Sequence, residues 1–390
     1  MKQLIHPEDP AKMNWIEGNT PWGTVKCPDG LSCTYESEKK GDAVFERFTF
    51  RNETDHDLFT ALTDVAVYTP FNDNYEEAAV CMEQRCHTHI WCADEVSYVM
   101  ALRMGGKGPH LGLMLTRGSL GGYSVERDLS KSSNDRGDFL LHPTPFALAP
   151  GESMVLEWVL FWHEGKADFY EKCRRFPSYI GVSMERAVYF AGEPVRFAVE
   201  PAVCCTKENL SITRNGRPVP FRMEGNRAMV EEPAGEPGEW EYHITANGVA
   251  TRCSVLVLPA FEELLWARCR FLVNKQQYRR EGSRLDGAFL IYDNEEHCLH
   301  YDPGYDHNGG RERVCMGILM AAFCSGMRTG RWRKAWSGIW LMSTGSFTTR
   351  IPAKCSTTPG GITTISAFIT TPGWLCFSWR YMGSKDSAGT

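Results

Sequence analysis

The sequence lacks the features that would place a protein in a membrane or on nucleic acid. It has no run of eighteen apolar residues, and its start, MKQLIHPEDPAKMNW, reaches charged residues and prolines before any apolar segment could form a signal peptide. It also lacks a Lys/Arg-rich run, and its net charge is −6, so it offers no concentrated basic face for phosphates. We therefore expect a cytoplasmic protein that has neither a membrane nor a nucleic acid as partner.

The sequence has no CxxC pair, although it contains 15 cysteines. The thiols are scattered through apolar segments such as AAVCM, VCMGILM and RCRFLV, which is typical of small buried side chains in a reducing compartment rather than of a disulfide framework. We expect no metal and no other cofactor. With 43% hydrophobic and 12% aromatic residues, the 390-residue chain can form two or three packed domains.

Residues 1–178 are predicted to form a large antiparallel β-sandwich. Short strand patterns such as AVFERFTFRNET, HLGLMLTRG and MVLEWVLFWHEG follow one another, separated by Gly, Pro and Asn/Asp clusters, and ADFYEKCRRF is typical of a short closing helix. A second, smaller run of strands spans residues 179–258 and contains an Asn-Gly hairpin turn in RNGRP. Its length predicts a small immunoglobulin-like β-sandwich.

The period of the pattern changes at Pro259. AFEELLWARCRFLVNKQQY carries apolar residues at helical spacing, and RERVCMGILMAAF begins a second apolar helix after a long polar loop. In an α/α toroid, helices alternate with long polar loops along the chain. Residues 259–323 are therefore predicted to be the first helices of such a toroid. The predicted fold class is multidomain, β then α: a large antiparallel β-sandwich, a small one and the start of an (α/α)6 toroid.

Residues 324–390 differ in composition from everything before them, with many Ser, Thr, Pro and Trp residues and hardly an acidic side chain. One explanation is a disordered or β-rich tail, and the other is translation in the wrong frame. The alternative frame can be derived from the genetic code, because the third base of each codon and the first two bases of the following codon form one codon of the shifted frame. From Trp332 onward, codons that fit the sequence give AESLERYLAYVDGKLYDEDTGEMFNDT, which begins as an amphipathic helix. We therefore predict one lost nucleotide near Phe323, a frameshifted tail and a truncated enzyme.

Several segments together carry a family likeness. The order of two sandwiches and a toroid, with RCHTHIWC, SYVMALRMGGKGPHLGLMLTRGSLGGYSVERD, SNDRGDFLLHP and YDHNGGRERVCMG, resembles six-hairpin glycosidase-like proteins, the toroidal carbohydrate-active enzymes of bacteria. Within them the nearest group is that around glycoside hydrolase family 154, which acts on uronic acids. The resemblance covers about residues 15–323 and implies catalysis in the central cleft of the toroid.

The segment CHTHIWC is a candidate for substrate binding. On a strand, His87, His89 and Trp91 share one face, where the indole could stack on a sugar ring and the imidazoles could bond hydroxyl groups or a uronate. A zinc site that adds Cys86 and Cys92 is the rival, but adjacent residues of a strand point to opposite faces. Plain packing of the three side chains also remains open.

The polar loop SSNDRGDF is a second candidate for substrate binding. Asp135 and Arg136 lie at its centre, and the guanidinium of Arg136 could hold a uronate carboxylate through two parallel hydrogen bonds. The alternative is an Asx turn with a local ion pair.

The segment HYDPGYDHNGGRER is the candidate catalytic loop. Glycosidases need two carboxyl groups several ångströms apart, and Asp306 or Glu312 is predicted to be one of them, with His307 orienting it. The lost helices would supply the second member of the pair. The alternative is a turn before a helix whose N-terminus Glu312 stabilises.

The favoured function is hydrolysis of an oligosaccharide, with or without uronic acid, by paired carboxyl groups, with this chain truncated and inactive. One alternative is a polysaccharide lyase of the same architecture, in which a Tyr or His removes the proton next to a uronate carboxylate. The other is a carbohydrate-binding β-module without catalysis. The expected partner is an oligosaccharide in each case, and the oligomeric state is not predicted.

Overall fold

A computed structural model describes residues 22–71, 73, 75, 77–127, 129–130, 137–283, 286–300, 315–320, 322–323, 349–356, 362–370 and 374–380. The chain divides into two compact units, residues 1–257 and residues 258–390. The order of β-sandwiches followed by a small amount of helix confirms the predicted class of multidomain β then α. Among the described helices none is both long and apolar enough to cross a bilayer.

The N-terminal part of the first unit is built almost entirely from strands. They are β1 (Val25–Lys26), β2 (Leu31–Lys40), β3 (Ala43–Asn52), β4 (Leu58–Phe59), β5 (Ala66–Tyr68), β6 (Cys86–Ala93), β7 (Val96–Arg103), β8 (His110–Arg117), β9 (Leu120–Glu126), β10 (Asp138–Pro143), β11 (Ala147–Leu148) and β12 (Ser153–His163). Two short helices accompany them, α1 (Ala78–Gln84) and α2 (Lys166–Cys173). The second of these is the helix predicted from ADFYEKCRRF.

Two antiparallel sheets face each other in this part of the chain. The larger has the order β2-β3-β12-β8-β7-β6 and the smaller has the order β1-β5-β10-β9, while β4 and β11 form a separate pair. Alternate residues of each strand point inward, so that Phe48, Leu113 and Trp158 of one sheet and Val67 and Leu141 of the other form one core. This arrangement is the predicted large sandwich.

One carboxylic acid lies inside that core. Glu46 is 1% exposed, and it accepts hydrogen bonds from the indole nitrogens of Trp22, at 3.3 Å, and Trp158, and from the hydroxyl of Tyr35, at 2.6 Å. Burial raises the pKa of Glu46 to about 7, although the three hydrogen bonds act in the opposite direction. The protonation state of Glu46 is therefore coupled to the stability of the sandwich.

The next segment of the chain forms a second pair of antiparallel sheets. Its strands are β13 (Ile180–Met184), β14 (Val188–Phe190), β15 (Pro194–Pro201), β16 (Leu210–Arg214), β17 (Arg217–Pro218), β18 (Phe221–Glu224), β19 (Arg227–Pro233), β20 (Gly238–Ala246) and β21 (Val249–Leu258). The sheet orders are β13-β15-β19-β18 and β14-β21-β20-β16-β17. The predicted Asn-Gly turn joins β16 to β17, and both Asn215 and Gly216 have positive φ, as a tight hairpin turn requires.

The small sandwich shares a core with the outer face of the large six-stranded sheet. Val159 and Phe161 of β12 and Phe169 of α2 belong to the same buried cluster as Phe197 and Tyr242 of the small sandwich. This continuity explains why residues 1–257 form one compact unit. The predicted boundary at residue 178 stays a prediction.

Polar contacts also join the two sandwiches. The guanidinium of Arg252 donates to the carbonyl oxygen of Gly121 at 2.8 Å and lies 3.6 Å from the carboxylate of Asp94. The backbone N–H of Ala250 donates to the carboxylate of Glu95 at 2.6 Å. These bonds fix β21 against the turn that joins β6 to β7 and the start of β9.

The second unit begins with the predicted helix, which is shorter than its pattern. Helix α3 (Phe261–Phe271) continues into a single π-helical turn (Leu272–Gln276), after which the backbone of Gln277 is extended and pairs with Phe289. The side chain of Gln276 bonds the carbonyl oxygen of Leu290 at 2.9 Å, so this polar end folds onto the following loop instead of extending the helix.

The remaining described elements of the second unit are small. A hairpin joins β22 (Ile291–Asp293) to β23 (Cys298–His300), residues 315–320 are helical, and β24 (Thr349–Ser356), β25 (Ile362–Thr370) and β26 (Trp374–Arg380) form an antiparallel sheet. The toroid and the frame break near Phe323 both stay predictions.

Candidate functional site

The predicted histidine strand is β6, an edge strand of the six-stranded sheet. It pairs with β7 along its whole length, from Cys86 to Ala93, without a register shift. His87 and His89 are exposed on one face, and Trp91 is half-buried on the same face. The structure therefore places the three predicted side chains together, while their contact with a sugar stays a prediction.

Trp91 is held by an aromatic cluster. Its ring lies parallel to that of Tyr98 within 7°, with the ring centroids 6.1 Å apart, and Tyr98 also packs on Phe169, Tyr170 and Tyr179. Burial raises the pKa of Tyr98 far above its usual value, so its hydroxyl stays protonated. The indole is thus anchored at its Tyr98 side, and only the remaining part of the ring could face a ligand.

The two cysteines of CHTHIWC belong to the other face of β6. Cys86 is fully buried and Cys92 packs against the core of the large sandwich. Burial raises the pKa of each of these thiols to about 12, which disfavours the thiolate that a zinc ion needs. Among the residues that the structure describes, no group of three or more His, Cys, Asp or Glu side chains is placed to hold a metal ion.

The second predicted binding loop connects β9 to β10. Asp135 and Arg136 lie outside the described residues, but the base of the hairpin is described, where Glu126 of β9 pairs with Asp138 of β10. The hydroxyl of Tyr68 on β5 donates a hydrogen bond to the carboxylate of Glu126. Burial, followed by this carboxylate, raises the pKa of Tyr68 to about 12, so the phenol remains protonated at neutral pH.

A Ser–His pair lies on the same hairpin. The Nδ1 atom of His142 is 2.9 Å from the carbonyl oxygen of Val65, which can only accept, so Nδ1 carries the proton. The Nε2 atom of a neutral His142 is then an acceptor, and the hydroxyl of Ser124 donates to it at 2.7 Å. Both ring nitrogens are satisfied, which fixes the tautomer and the orientation of the ring.

These side chains form a polar group on the sheet face that points away from the sandwich core. We call it the hairpin group: Tyr68, Ser124, Glu126, Asp138 and His142. Strand pairing places Tyr68 and Ser124 on either side of Leu140, and alternation along β10 puts Asp138 and His142 on the same face. A phenol, an imidazole and two carboxyl groups at the base of a polar loop are residue types that can donate, accept and transfer protons.

Sequence reasoning named the loop but not the hairpin group. The segment DFLLHP, which contains His142, has three consecutive apolar residues and is buried along its whole length, so alternation does not assign its faces. The proximity of Ser124 to His142 depends on the register between β9 and β10. Asp306, His307 and Glu312, the predicted catalytic residues, lie outside the described residues.

Comparison with known proteins gives an informative structural similarity. No protein-family model and no curated protein matches the sequence. A solved polysaccharide lyase is similar to this chain with a TM-score of 0.70 and 32% sequence identity, over 82% of this chain and 52% of the lyase. The chain therefore spans about half the length of that enzyme.

Two other solved structures resemble the chain only locally. A chimeric titin Z1Z2 tandem has 9% identity and a TM-score of 0.17, over 44% of this chain and 99% of its own. The SGBP-B protein of a Bacteroides ovatus mixed-linkage glucan utilization locus has 10% identity and a TM-score of 0.15, over 61% of this chain and 64% of its own. The first similarity shows that the chain has the fold of a carbohydrate-active enzyme.

Proposed function

We propose that this protein is part of a polysaccharide lyase that acts on a uronate-bearing polysaccharide. The observation that carries the proposal is the similarity to a polysaccharide lyase at 32% identity across 82% of the chain. In such a β-elimination a base removes the proton beside the uronate carboxylate. The bond from the neighbouring carbon to the glycosidic oxygen breaks, a carbon–carbon double bond forms, and the departing oxygen receives a proton.

Two features of the chain support this chemistry. The hairpin group contains a Tyr and a His, the residue types that such proton transfers use. It also lies at the base of the loop with Asp135 and Arg136, and a guanidinium is suited to hold a uronate carboxylate. Asp306, His307 and Glu312 stay candidate catalytic residues for the hydrolase alternative, together with the likeness to family 154.

We also propose that the reading frame shifts near Phe323. The composition of residues 324–390 and the helical sequence in the alternative frame support one lost nucleotide near Phe323. The encoded enzyme would then continue its helical part, and the chain with its present tail would be inactive. Resequencing the gene across the codons for Ala322 to Met327 tests this directly.

The reaction product separates the three candidate functions. We expect the frame-restored protein, incubated with uronate-bearing polysaccharides, to produce ultraviolet absorbance from the new double bond in step with new reducing ends. Reducing ends without the absorbance would instead identify a hydrolase. Affinity without either product, in both forms of the protein, would identify a binding module and overturn the enzyme proposal.

Arg136 provides a test of substrate contact. We expect Arg136→Gln to weaken binding of a uronate-bearing oligosaccharide about ten- to 150-fold, because a hydrogen bond to a charged group contributes about 1.5–3 kcal/mol. Binding should be measured by calorimetry, beside a carboxyl-reduced form of the same oligosaccharide. Arg222→Gln, on an exposed arginine of the small sandwich paired with Glu224, is the matched control. Equal affinities of the Arg136 and Arg222 variants would remove Arg136 from the site.

A further inference from the structure

His87 and His89 are two exposed imidazoles on an otherwise well-paired strand. Neither has a hydrogen-bonding or ionic partner in the described part of the chain. The backbone of β6 between them is fixed by its register with β7, in which His87 lies opposite Leu102 and His89 lies opposite Met100. Both imidazoles are therefore held on one face without a polar group that uses their nitrogen atoms.

The spacing of the two side chains is set by the strand. Residues two apart on one face are separated by about 6.6 Å along the backbone, at 3.3 Å per residue. Each imidazole extends several ångströms from its Cα atom, so the two rings can converge on one point above Thr88. The neighbours across the strand pair, Leu102 and Met100, carry no charge that would compete for an imidazole or repel a cation.

We propose that His87 and His89 together chelate one late first-row transition-metal ion, with water in its other positions. Imidazole is a preferred ligand of copper, nickel and zinc ions, and the expected order of affinity places Cu²⁺ above Ni²⁺ and Zn²⁺. The site differs from the four-ligand zinc site of the CHTHIWC segment, because Cys86 and Cys92 face the sandwich core. It revises the expectation that the protein binds no metal, and it does not depend on the proposed lyase function.

Two ligands from the chain make a site that is open and weaker than a closed structural zinc site. Both His87 and His89 are exposed to solvent, so water can occupy the remaining coordination positions. An oxygen atom of a bound ligand could replace one of the waters. The proposal therefore assigns to this face a metal ion that is exchangeable.

Titration of the intact protein with Ni²⁺, followed by calorimetry, tests the proposal. We expect one site that is lost in the double variant His87→Gln/His89→Gln, and each single variant should bind at least about tenfold more weakly, because the second imidazole no longer closes the chelate. His243→Gln is the matched control, since His243 is also an exposed strand histidine, beside Glu241 at 2.8 Å. It should bind as the unmodified protein does.

The two single variants make the result decisive. Unchanged affinity in both of them would place the bound ion elsewhere and overturn the proposal. A loss in only one of them would show that a single imidazole binds the ion, which would overturn the chelate. Circular dichroism of each variant tests whether the fold is retained, as expected for substitutions at exposed positions.

Discussion

Phe169→Ala is expected to lower the free energy of unfolding of the first unit by about 3–5 kcal/mol, the usual cost of removing a buried aromatic ring. Phe169 is 0% exposed on α2, and its ring lies 5.6 Å from that of Phe161 and 5.5 Å from that of Tyr98, measured between centroids. A Cβ atom added at Gly112 would lie only 2.9 Å from the ring of Phe169, so the ring packs directly on the backbone of the sheet. The ring therefore fills the space between helix and sheet, and its loss leaves a cavity.

The consequence should extend beyond the large sandwich. Phe169 belongs to the core cluster that also contains Phe197 and Tyr242, so the two sandwiches should lose stability in one cooperative transition. Chemical denaturation followed by tryptophan fluorescence and by circular dichroism measures this, and both signals should shift together.

Phe59→Ala is the control for the Phe169 variant. The side chain of Phe59 is 74% exposed, so its removal should change the free energy of unfolding by less than about 0.5 kcal/mol. Two separate transitions in the Phe169 variant, or a loss no larger than that of the control, would contradict the shared core.

The second large effect is a dependence of stability on pH that originates at Glu46. Its pKa is raised by burial from 4.5 to about 7 in the folded protein. The folded state thus binds the proton more tightly than the unfolded state, and the stabilisation is fully present below pH 4.5 and is lost as the pH rises through about 7. At 1.36 kcal/mol per pKa unit, the loss is about 3 kcal/mol.

Glu46→Gln should remove this dependence. A glutamine amide oxygen can still accept from Trp22 and Trp158, and its NH₂ group can bond the oxygen of Tyr35, so the variant resembles the protonated acid. The difference between the unfolding free energies of the variant and the unmodified protein should therefore grow by about 3 kcal/mol between pH 4.5 and pH 8.

The difference between the two proteins is the quantity to follow, because other groups oppose the trend. Burial lowers the pKa of His110 and of His163, so each of these imidazoles adds stability that is lost as the pH falls through its folded pKa. Glu38→Gln, on an exposed carboxylate of β2 paired with Lys40, is the control. A difference for Glu46→Gln that stays constant across the pH range would show that the pKa of Glu46 is the same in the folded and unfolded states, and would contradict the raised pKa.

Local patterns in the sequence were sufficient for the elements of the fold. Alternation in AVFERFTFRN predicts a strand, and the structure has β3 at these residues. The same alternation puts Glu46 on the face of Phe48 and Phe50, which is a signal that an acid enters the core. The Asn-Gly pair predicts the turn after β16, where positive φ angles demand those residues.

Helix ends were harder to predict than helix starts. The change of period at Pro259 marks the beginning of α3, but its apolar spacing continues past Phe271, where the α-helix ends. The side chain of Gln276 instead bonds the carbonyl oxygen of Leu290, fourteen residues further along the chain. A contact of this length has no local signal, so it could not be predicted from helical spacing.

The sequence by itself determined the order of β then α, the strand that carries His87, His89 and Trp91, and the face of that strand that each side chain occupies. These depend on backbone geometry within a few residues, and side-chain alternation reports it directly. The pairing of β9 with β10, which brings Ser124 to His142, and the convergence of Trp22, Tyr35 and Trp158 on Glu46 were decided only by the tertiary structure. Such contacts join residues far apart in the chain, and their free energy depends on burial and on strand register, which no local pattern contains.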